Sequence, residues 1–241
     1  MDKTTQAQSK YYKDTAERYD EMHGHDLEHQ YAIRIIIALS KMIGARSVLD
    51  VGCGTGRGLL CFLESGLSAQ GLEQVQELLN VARKKNIPAE CIHNGVAEHM
   101  PFADREFDVA CELGVFHHIR NPMPAVKEMM RVSKKAIFLS DENRFAYGGT
   151  LRRLSSLILC KTQMFNYAYY IKTLGACHRY SDGDGVAYSY SVYDAYDELY
   201  DWADQIFFIP TSTKKSRKAW NTPLTNSFHV LLCAIRNRFN A

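Results

Sequence analysis

No stretch of this 241-residue chain is apolar for long enough to cross a bilayer. Apolar-rich runs such as residues 33–39 fall well short of the roughly 20 residues a spanning helix needs. Net charge is nearly absent: 29 Lys and Arg against 27 Asp and Glu leave +2, with no bias towards nucleic acid or an anionic membrane. There is no C-x-x-C pair, and the seven cysteines are an odd number, which excludes a simple disulfide framework and favours a reduced, cytoplasmic protein. The first residues, Met-Asp-Lys-Thr-Thr-Gln, lack the apolar core of a signal peptide, in keeping with that location. Neither an internal repeat nor a low-complexity tract is present. The length fits one domain, perhaps with an inserted subdomain. Metal signatures are missing too. His25 and His29 lie four apart without an H-E-x-x-H pattern and read as solvated. Asp182-Gly183-Asp184-Gly185 lacks the later ligands of an EF-hand and reads as a tight turn. No metal site is expected.

What the chain does contain is a strand, a glycine turn and a helix in immediate succession. Residues 47–51 are a short apolar run, sufficient for one buried strand. Gly52, Cys53, Gly54, Thr55 and Gly56 then turn the chain, and Leu59, Leu60, Phe62 and Leu63 begin a helical pattern. Glycine suits such a turn because φ > 0 costs it little and because a side chain would keep a ligand away from the backbone. The turn also brings the unpaired N–H groups of a helix start to the ligand. A dinucleotide fingerprint would place a third glycine where Arg57 stands, and a phosphate-binding loop would need Gly-Lys-Ser/Thr, which is absent. Asp50, just before the turn, offers an acceptor to a cationic or N–H-bearing ligand. Glu73 ends the next apolar run, residues 69–73, about twenty residues beyond the turn, where an acid can accept both hydroxyls of a ribose.

Val48-Leu49-Asp50-Val51-Gly52-Cys53-Gly54-Thr55-Gly56 resembles the first motif of the class I S-adenosylmethionine-dependent methyltransferases almost residue for residue, and the resemblance extends to about residue 142. It implies an α/β, Rossmann-like, seven-stranded sheet, mostly parallel with an antiparallel last strand, helices on both faces, and a helical lid inserted between strands five and six. The corresponding division is residues 1–44 as N-terminal helices, 45–144 as the cofactor-binding core, 145–204 as an acceptor lid and 205–241 as a C-terminal strand hairpin. The cofactor implied is S-adenosyl-L-methionine, leaving as S-adenosyl-L-homocysteine. Asp50, Gly52, Cys53, Gly54, Gly56, Glu73 and Gln74 would hold it. Residues 94–102 look like the segment that flanks adenine. Val96 stands there in place of the usual Asp, so it can supply only a wall, while the backbone of Ala97 can still meet the base. Glu112 and Leu113, after the fourth strand, would line the methionine part.

Residues 10–22 read as an amphipathic helix with Tyr12, Ala16 and Tyr19 on one face. A similar helix in the family closes over the cofactor, which would put Tyr11 or Tyr19 near the sulfonium, where an aromatic face attracts a cation. Residues 27–43 predict a second helix burying Leu27, Tyr31, Ile35, Leu39 and Met42, stopped by Gly44. Residues 89–93 and 135–140 predict the third and fifth strands. His117 and His118 sit where transfer would occur; each could take a proton from an acceptor hydroxyl or simply fix its loop by hydrogen bonds. Asp141 and Asn143 at the end of strand five, and Tyr188, Tyr190 and Tyr193 in the lid, are the candidate acceptor contacts. Glu112-Leu113-Gly114-Val115 differs from the Asp/Asn-Pro-Pro-Tyr of enzymes that methylate base amino groups, which disfavours nucleic acid as a partner. The basic run Lys214-Lys215-Ser216-Arg217-Lys218 reads as a solvated loop, with an anionic acceptor such as a phosphorylated glycan or RNA as the sharper alternative. The expected function is O- or N-methylation of a small molecule such as a sugar, glycan or secondary metabolite, by a monomer or homodimer. A nicotinamide-dependent oxidoreductase and a non-catalytic cofactor-binding module are the alternatives.

Overall fold

The computed structural model describes residues 3–24, 26–212 and 223–236. His25 and the basic run from Lys214 to Lys218 lie outside them. Seven strands form one sheet: β1 (Ser47–Val51), β2 (Ser68–Glu73), β3 (Ile92–Asn94), β4 (Phe107–Leu113), β5 (Ser133–Glu142), β8 (Gln205–Pro210) and β9 (His229–Ile235). Their order is β3-β2-β1-β4-β5-β9-β8. All neighbours pair parallel up to β5, and β9 runs antiparallel to both β5 and β8. A separate hairpin is made by β6 (His178–Ser181) and β7 (Gly185–Tyr188).

Both faces of the sheet are buried, so its strands read as continuous apolar runs. In β5, Ala136 and Phe138 face α3 (Leu27–Met42) and α4 (Arg57–Glu64), whereas Ile137 and Leu139 face α6 (Met123–Val132) and α9 (Tyr196–Tyr200). The order reverses at β1: β2 lies on one side and β4 on the other. Beyond the carboxyl ends of such strands an open α/β sheet has its natural crevice. No helix of the described residues is long and apolar enough to cross a membrane.

Several elements differ from the sequence reading. The first helix begins earlier, as α1 (Lys3–Thr15), and a 3-10 turn at Ala16–Arg18 separates it from the short α2 (Tyr19–His23). In α3 the buried residues are Ala32, Ile33, Ile36 and Ser40, while Leu27, Tyr31 and Met42 are exposed. Residues 31–39 are apolar on nearly every side apart from Arg34, so periodicity alone does not choose the inner face; packing against the sheet does. Residues 89–91 form a 3-10 turn after Pro88, which delays β3 to Ile92. In contrast, β5 runs to Glu142, and this places Asp141 inside the strand.

Between β5 and β8 the chain inserts α7 (Thr150–Lys161), α8 (Phe165–Lys172), the β6–β7 hairpin and α9. Asn143 governs the entry. It is fully buried; its Nδ2 donates to the carbonyls of Leu224 at 2.7 Å and Ser227 at 2.9 Å, and its Oδ1 accepts the Phe145 N–H at 3.0 Å. Its side chain thus joins the end of β5 to the turn before β9 and does not face a crevice. Leaving buried polar groups unpaired costs about 1–3 kcal/mol. Asn143→Ala is therefore expected to lower the free energy of urea unfolding by about 2 kcal/mol, and an unchanged midpoint would show that this junction is not structural.

Candidate active site

The glycine turn leaves β1 at the reversal point. Gly52, Gly54 and Gly56 have φ of +72°, +55° and +78°, a region costly to other residues. A Cβ on Gly52 would lie 2.5 Å from the Val115 side chain. On Gly54 it would meet nothing within 4 Å, so the backbone there faces open space. Glu73, at the end of β2, fixes the turn: its carboxylate accepts the Val75 N–H at 2.8 Å and the Gly54 N–H at 3.1 Å. Burial raises its carboxyl against the lowering effect of these donors.

Two adjoining cavities meet at Tyr19, Gly52, Gly54 and Leu113. One, of about 330 Å³, is bordered by Glu73, Gln74, Ala97, Tyr12, His118 and Tyr188. The other, of about 380 Å³, is bordered by Asp50, Cys53, His29, Arg34 and Arg57. Asp50 is 2% exposed. Burial pushes its carboxyl up to about 7, assisted by nearby Glu73 and opposed by the Leu59 N–H. Room for it depends on Gly58, where a Cβ would stand 2.8 Å from Oδ2. His29, expected in solvent, is half-buried against the His229 ring, 5.1 Å between centroids. Burial, reinforced by His229, drops its pKa to about 4.

The N-terminal segment closes one side. Asp20 accepts from the Thr55 hydroxyl at 2.5 Å and pairs with Lys85 at 2.5 Å, tying α2 to the turn and to the end of α5 (Gln76–Arg83). Arg57 donates to the His23 carbonyl and stands 5.8 Å from the centre of the Tyr19 ring. Tyr19 and Tyr12 border the crevice, whereas Tyr11 is buried towards the β6–β7 hairpin. Tyr12 thus takes the place expected of Tyr11, on the face it shares with Ala16 and Tyr19.

The histidine pair lies in a 3-10 turn, Phe116–His118, beyond β4. His117 Nδ1 is 2.7 Å from Asp141 Oδ1, and its Nε2 is 3.3 Å from Asp184. Burial opposes charge on this ring, but Asp141 and then Asp184 outweigh it and hold its pKa well above the ordinary value. His118 Nδ1 is 2.7 Å from the Val186 carbonyl and its Nε2 is 3.4 Å from Asp184. Asp141 is fully buried behind His117, so it supports that ring and does not reach the crevice. Glu112 is buried as well; it accepts the Val115 N–H at 3.0 Å, and burial together with Asp141 keeps its carboxyl well above its usual range. Strand alternation explains this: neighbouring Leu113 points into the crevice and Glu112 away from it.

Of the three tyrosines expected to contact an acceptor, Tyr188 borders the crevice and its hydroxyl is 2.7 Å from that of Thr4. Tyr190 packs edge-on to Phe116, 5.9 Å between centroids, and Tyr193 stacks on Phe208 at 4.4 Å; both belong to the apolar core. Val96 is 40% exposed and borders neither cavity, while Gly95 and Ala97 do. Asp184 was missed by sequence reasoning, which took its Asp-Gly-Asp-Gly run as a plain turn. It is indeed a turn, but Gln8 holds it against α1, accepting the Val186 N–H at 2.5 Å, and so delivers Asp184 to the histidines. No local signal connects residues that far apart in sequence.

A family model described as a methyltransferase domain matches residues 49–139, from β1 to β5. Residues 49–139 are thus similar to a methyltransferase domain, and solved S-adenosylmethionine-dependent methyltransferases share the fold. Among curated relatives of the chain, the uncharacterized methyltransferase YcgJ of Bacillus subtilis is 29% identical over 42% of this chain and 42% of its own length. A dTDP-3-amino-3,6-dideoxy-alpha-D-glucopyranose N,N-dimethyltransferase of Streptomyces fradiae is 30% identical over 48% and 46%. The chain thus spans about half the length, or less, of the curated relatives it matches. The crystal structure of magnesium protoporphyrin IX methyltransferase from Synechocystis PCC 6803, with bound SAH, superposes with a TM-score of 0.64 at 18% identity, over 98% of this chain and 100% of that one; this likeness establishes the fold.

The Asp20 anchor generates a test. Asp20→Ala should accelerate backbone hydrogen exchange across residues 3–23 while leaving β1, β4 and β5 protected, because only the N-terminal segment loses its tie. Equal exchange in the two proteins would remove Asp20 from that role.

Proposed function

We propose that the chain transfers a methyl group from S-adenosyl-L-methionine to a hydroxyl or amine of a small-molecule acceptor. The observation that carries this reading is the pair of carboxyl groups, Glu73 and Asp50, on either side of the open backbone at Gly54. One suits a ribose diol and the other, a buried carboxyl in the adjoining cavity, suits an ammonium group. Bound there, the cofactor supplies a methyl group already activated by a sulfonium. Glu73 accepts the ribose hydroxyls, and Gly95 and Ala97 bring backbone to the base. The Tyr19 ring, between the two cavities, offers a π face to positive charge. The chain's main contribution is to hold donor and acceptor close and aligned.

The acceptor approaches past His118 and Tyr188. His118, beside the crevice, takes a proton from an acceptor hydroxyl; a neutral amine needs no such base. The sugar and magnesium-porphyrin methyltransferases among the relatives support a small acceptor of this kind. The near-neutral charge accords with this and does not favour nucleic acid. A cytoplasmic location accords with seven free thiols.

Two outcomes are expected. Glu73→Gln keeps the side-chain size but removes the charge, and should weaken S-adenosylmethionine binding about 10- to 100-fold by calorimetry. An unchanged dissociation constant would take Glu73 out of the site. The second concerns pH. In the free protein the Asp50 carboxyl is protonated below about 7. An ammonium group prefers the carboxylate, so binding below that pH must expel a proton, and affinity should fall about tenfold per unit as pH drops. Adenosine, which has no ammonium group, should show no such slope. Parallel slopes for the two ligands would contradict the placement of Asp50.

A further inference from the structure

We propose that His117, His118 and Asp184 form a binding site for a divalent transition metal of the zinc type, at the acceptor end of the crevice. One ligand atom from each of the three residues lies within 4.8 Å of the others. The surrounding hydrogen bonds orient them for this purpose. His117 Nδ1 is held by the buried Asp141 carboxylate at 2.7 Å, and His118 Nδ1 by the Val186 carbonyl at 2.7 Å. In its neutral, ligating form each ring would carry its hydrogen on Nδ1 and turn Nε2 towards Asp184, and an ion there would take the place of a proton on the His117 Nε2. A histidine whose far nitrogen donates to a carboxylate or a backbone carbonyl is the usual support of a metal ligand, because it fixes tautomer and ring orientation.

The distances leave room for an ion. Nε2 of His117 stands 3.3 Å from Asp184 Oδ2 and Nε2 of His118 stands 3.4 Å from Oδ1. Charge-assisted hydrogen bonds between such groups would be about 2.7–2.9 Å. A small turn of the Asp184 carboxylate and of the two rings would bring one oxygen and both nitrogens to the roughly 3.3–3.4 Å spacing of ligands about 2.05 Å from a tetrahedral ion. Charge balance points the same way: Asp141 and Asp184 place two carboxylates around two imidazoles, and a dication neutralises them. Two histidines and one carboxylate are a ligand set used by zinc and by other late first-row ions, and not one suited to magnesium or calcium.

Placement gives the ion a purpose. His118 borders the 330 Å³ cavity with Tyr188, while His117 and Asp184 border a smaller one, of about 210 Å³, on the other side. Three protein ligands leave the fourth position for water or an acceptor oxygen, whose proton the ion would make easier to lose. An ion there would occupy His118 Nε2 and replace it as the device that activates an acceptor hydroxyl. It would also fasten the β6–β7 hairpin, through Asp184, to the turn after β4. The site rests on side-chain geometry and not on the reaction, so its failure would leave the methyl-transfer reading standing.

The test is metal content. The full-length protein is incubated with excess Zn²⁺, dialysed against metal-free buffer, and analysed by atomic emission together with Asp184→Asn and His118→Ala. Expected are close to one zinc per chain in the unaltered protein and near zero in both variants. Asp141→Asn, which weakens the support of His117 without removing a ligand, should weaken zinc binding about 10- to 100-fold. Co²⁺ in place of Zn²⁺ should give the visible absorption of a tetrahedral nitrogen and oxygen site, lost in Asp184→Asn. Circular dichroism verifies that the variants are folded. Less than about a tenth of an equivalent in the unaltered protein, or full retention by folded Asp184→Asn, would overturn the proposal.

Discussion

The short bonds from the Glu73 carboxylate to the N–H groups of Gly54 and Val75 are the contacts on which the crevice depends. They join the end of β2 to the turn after β1 across the point where strand order reverses. Together with the Gly52 and Cys53 N–H groups, which donate to the Leu72 carbonyl at 2.7 Å and 3.1 Å, they hold three left-handed glycines in one conformation, against the large freedom glycine loses on ordering. Because both donors are backbone groups, the arrangement fixes the main chain and leaves the outer face of Gly54 clear. Binding surface and structural brace are thus the same carboxylate, which is why the charge on Glu73 and the shape of the turn cannot be separated by a single large truncation.

Carboxyl groups crowd this edge of the sheet. Asp50, Glu73, Glu112 and Asp141 are all nearly inaccessible to water. Burying that many acids costs free energy unless each is neutral, hydrogen-bonded or paired. The four resolve the conflict in different ways. Burial and Asp141 push the Glu112 carboxyl well above its usual range, Asp141 is compensated by His117, and Glu73 is compensated by backbone N–H donors. Asp50 has only the Leu59 N–H and titrates near neutrality. A group left so is poised for an external cation, and that asymmetry distinguishes a ligand site from a merely well-satisfied interior.

Much of the fold was legible in the sequence because its signals are local. The run from Ser47 to Gly56 specifies a strand and its turn within ten residues, and Glu73 follows at a distance fixed by one helix and one strand. The seven-stranded, mostly parallel sheet with an antiparallel last strand came from the family resemblance and agrees with the observed sheet. Legibility failed where three-dimensional context decides. The inner face of α3 could not be read from a segment apolar on most sides. Asn143 and Tyr193 looked like exposed strand-end and lid residues, but chain segments far along the sequence cover them. Glu112 and Leu113 differ only in strand phase. Asp184 needed the packing of α1 against β7, a contact between residues about 180 apart, before it could be placed beside the histidines.

The measurement that bears most directly on the central claim is calorimetric titration of the full chain with S-adenosylmethionine, S-adenosylhomocysteine and NAD in parallel. The account predicts binding of the first two with dissociation constants of about the micromolar order, and no heat from NAD. Binding of NAD with silence from the other two would contradict it.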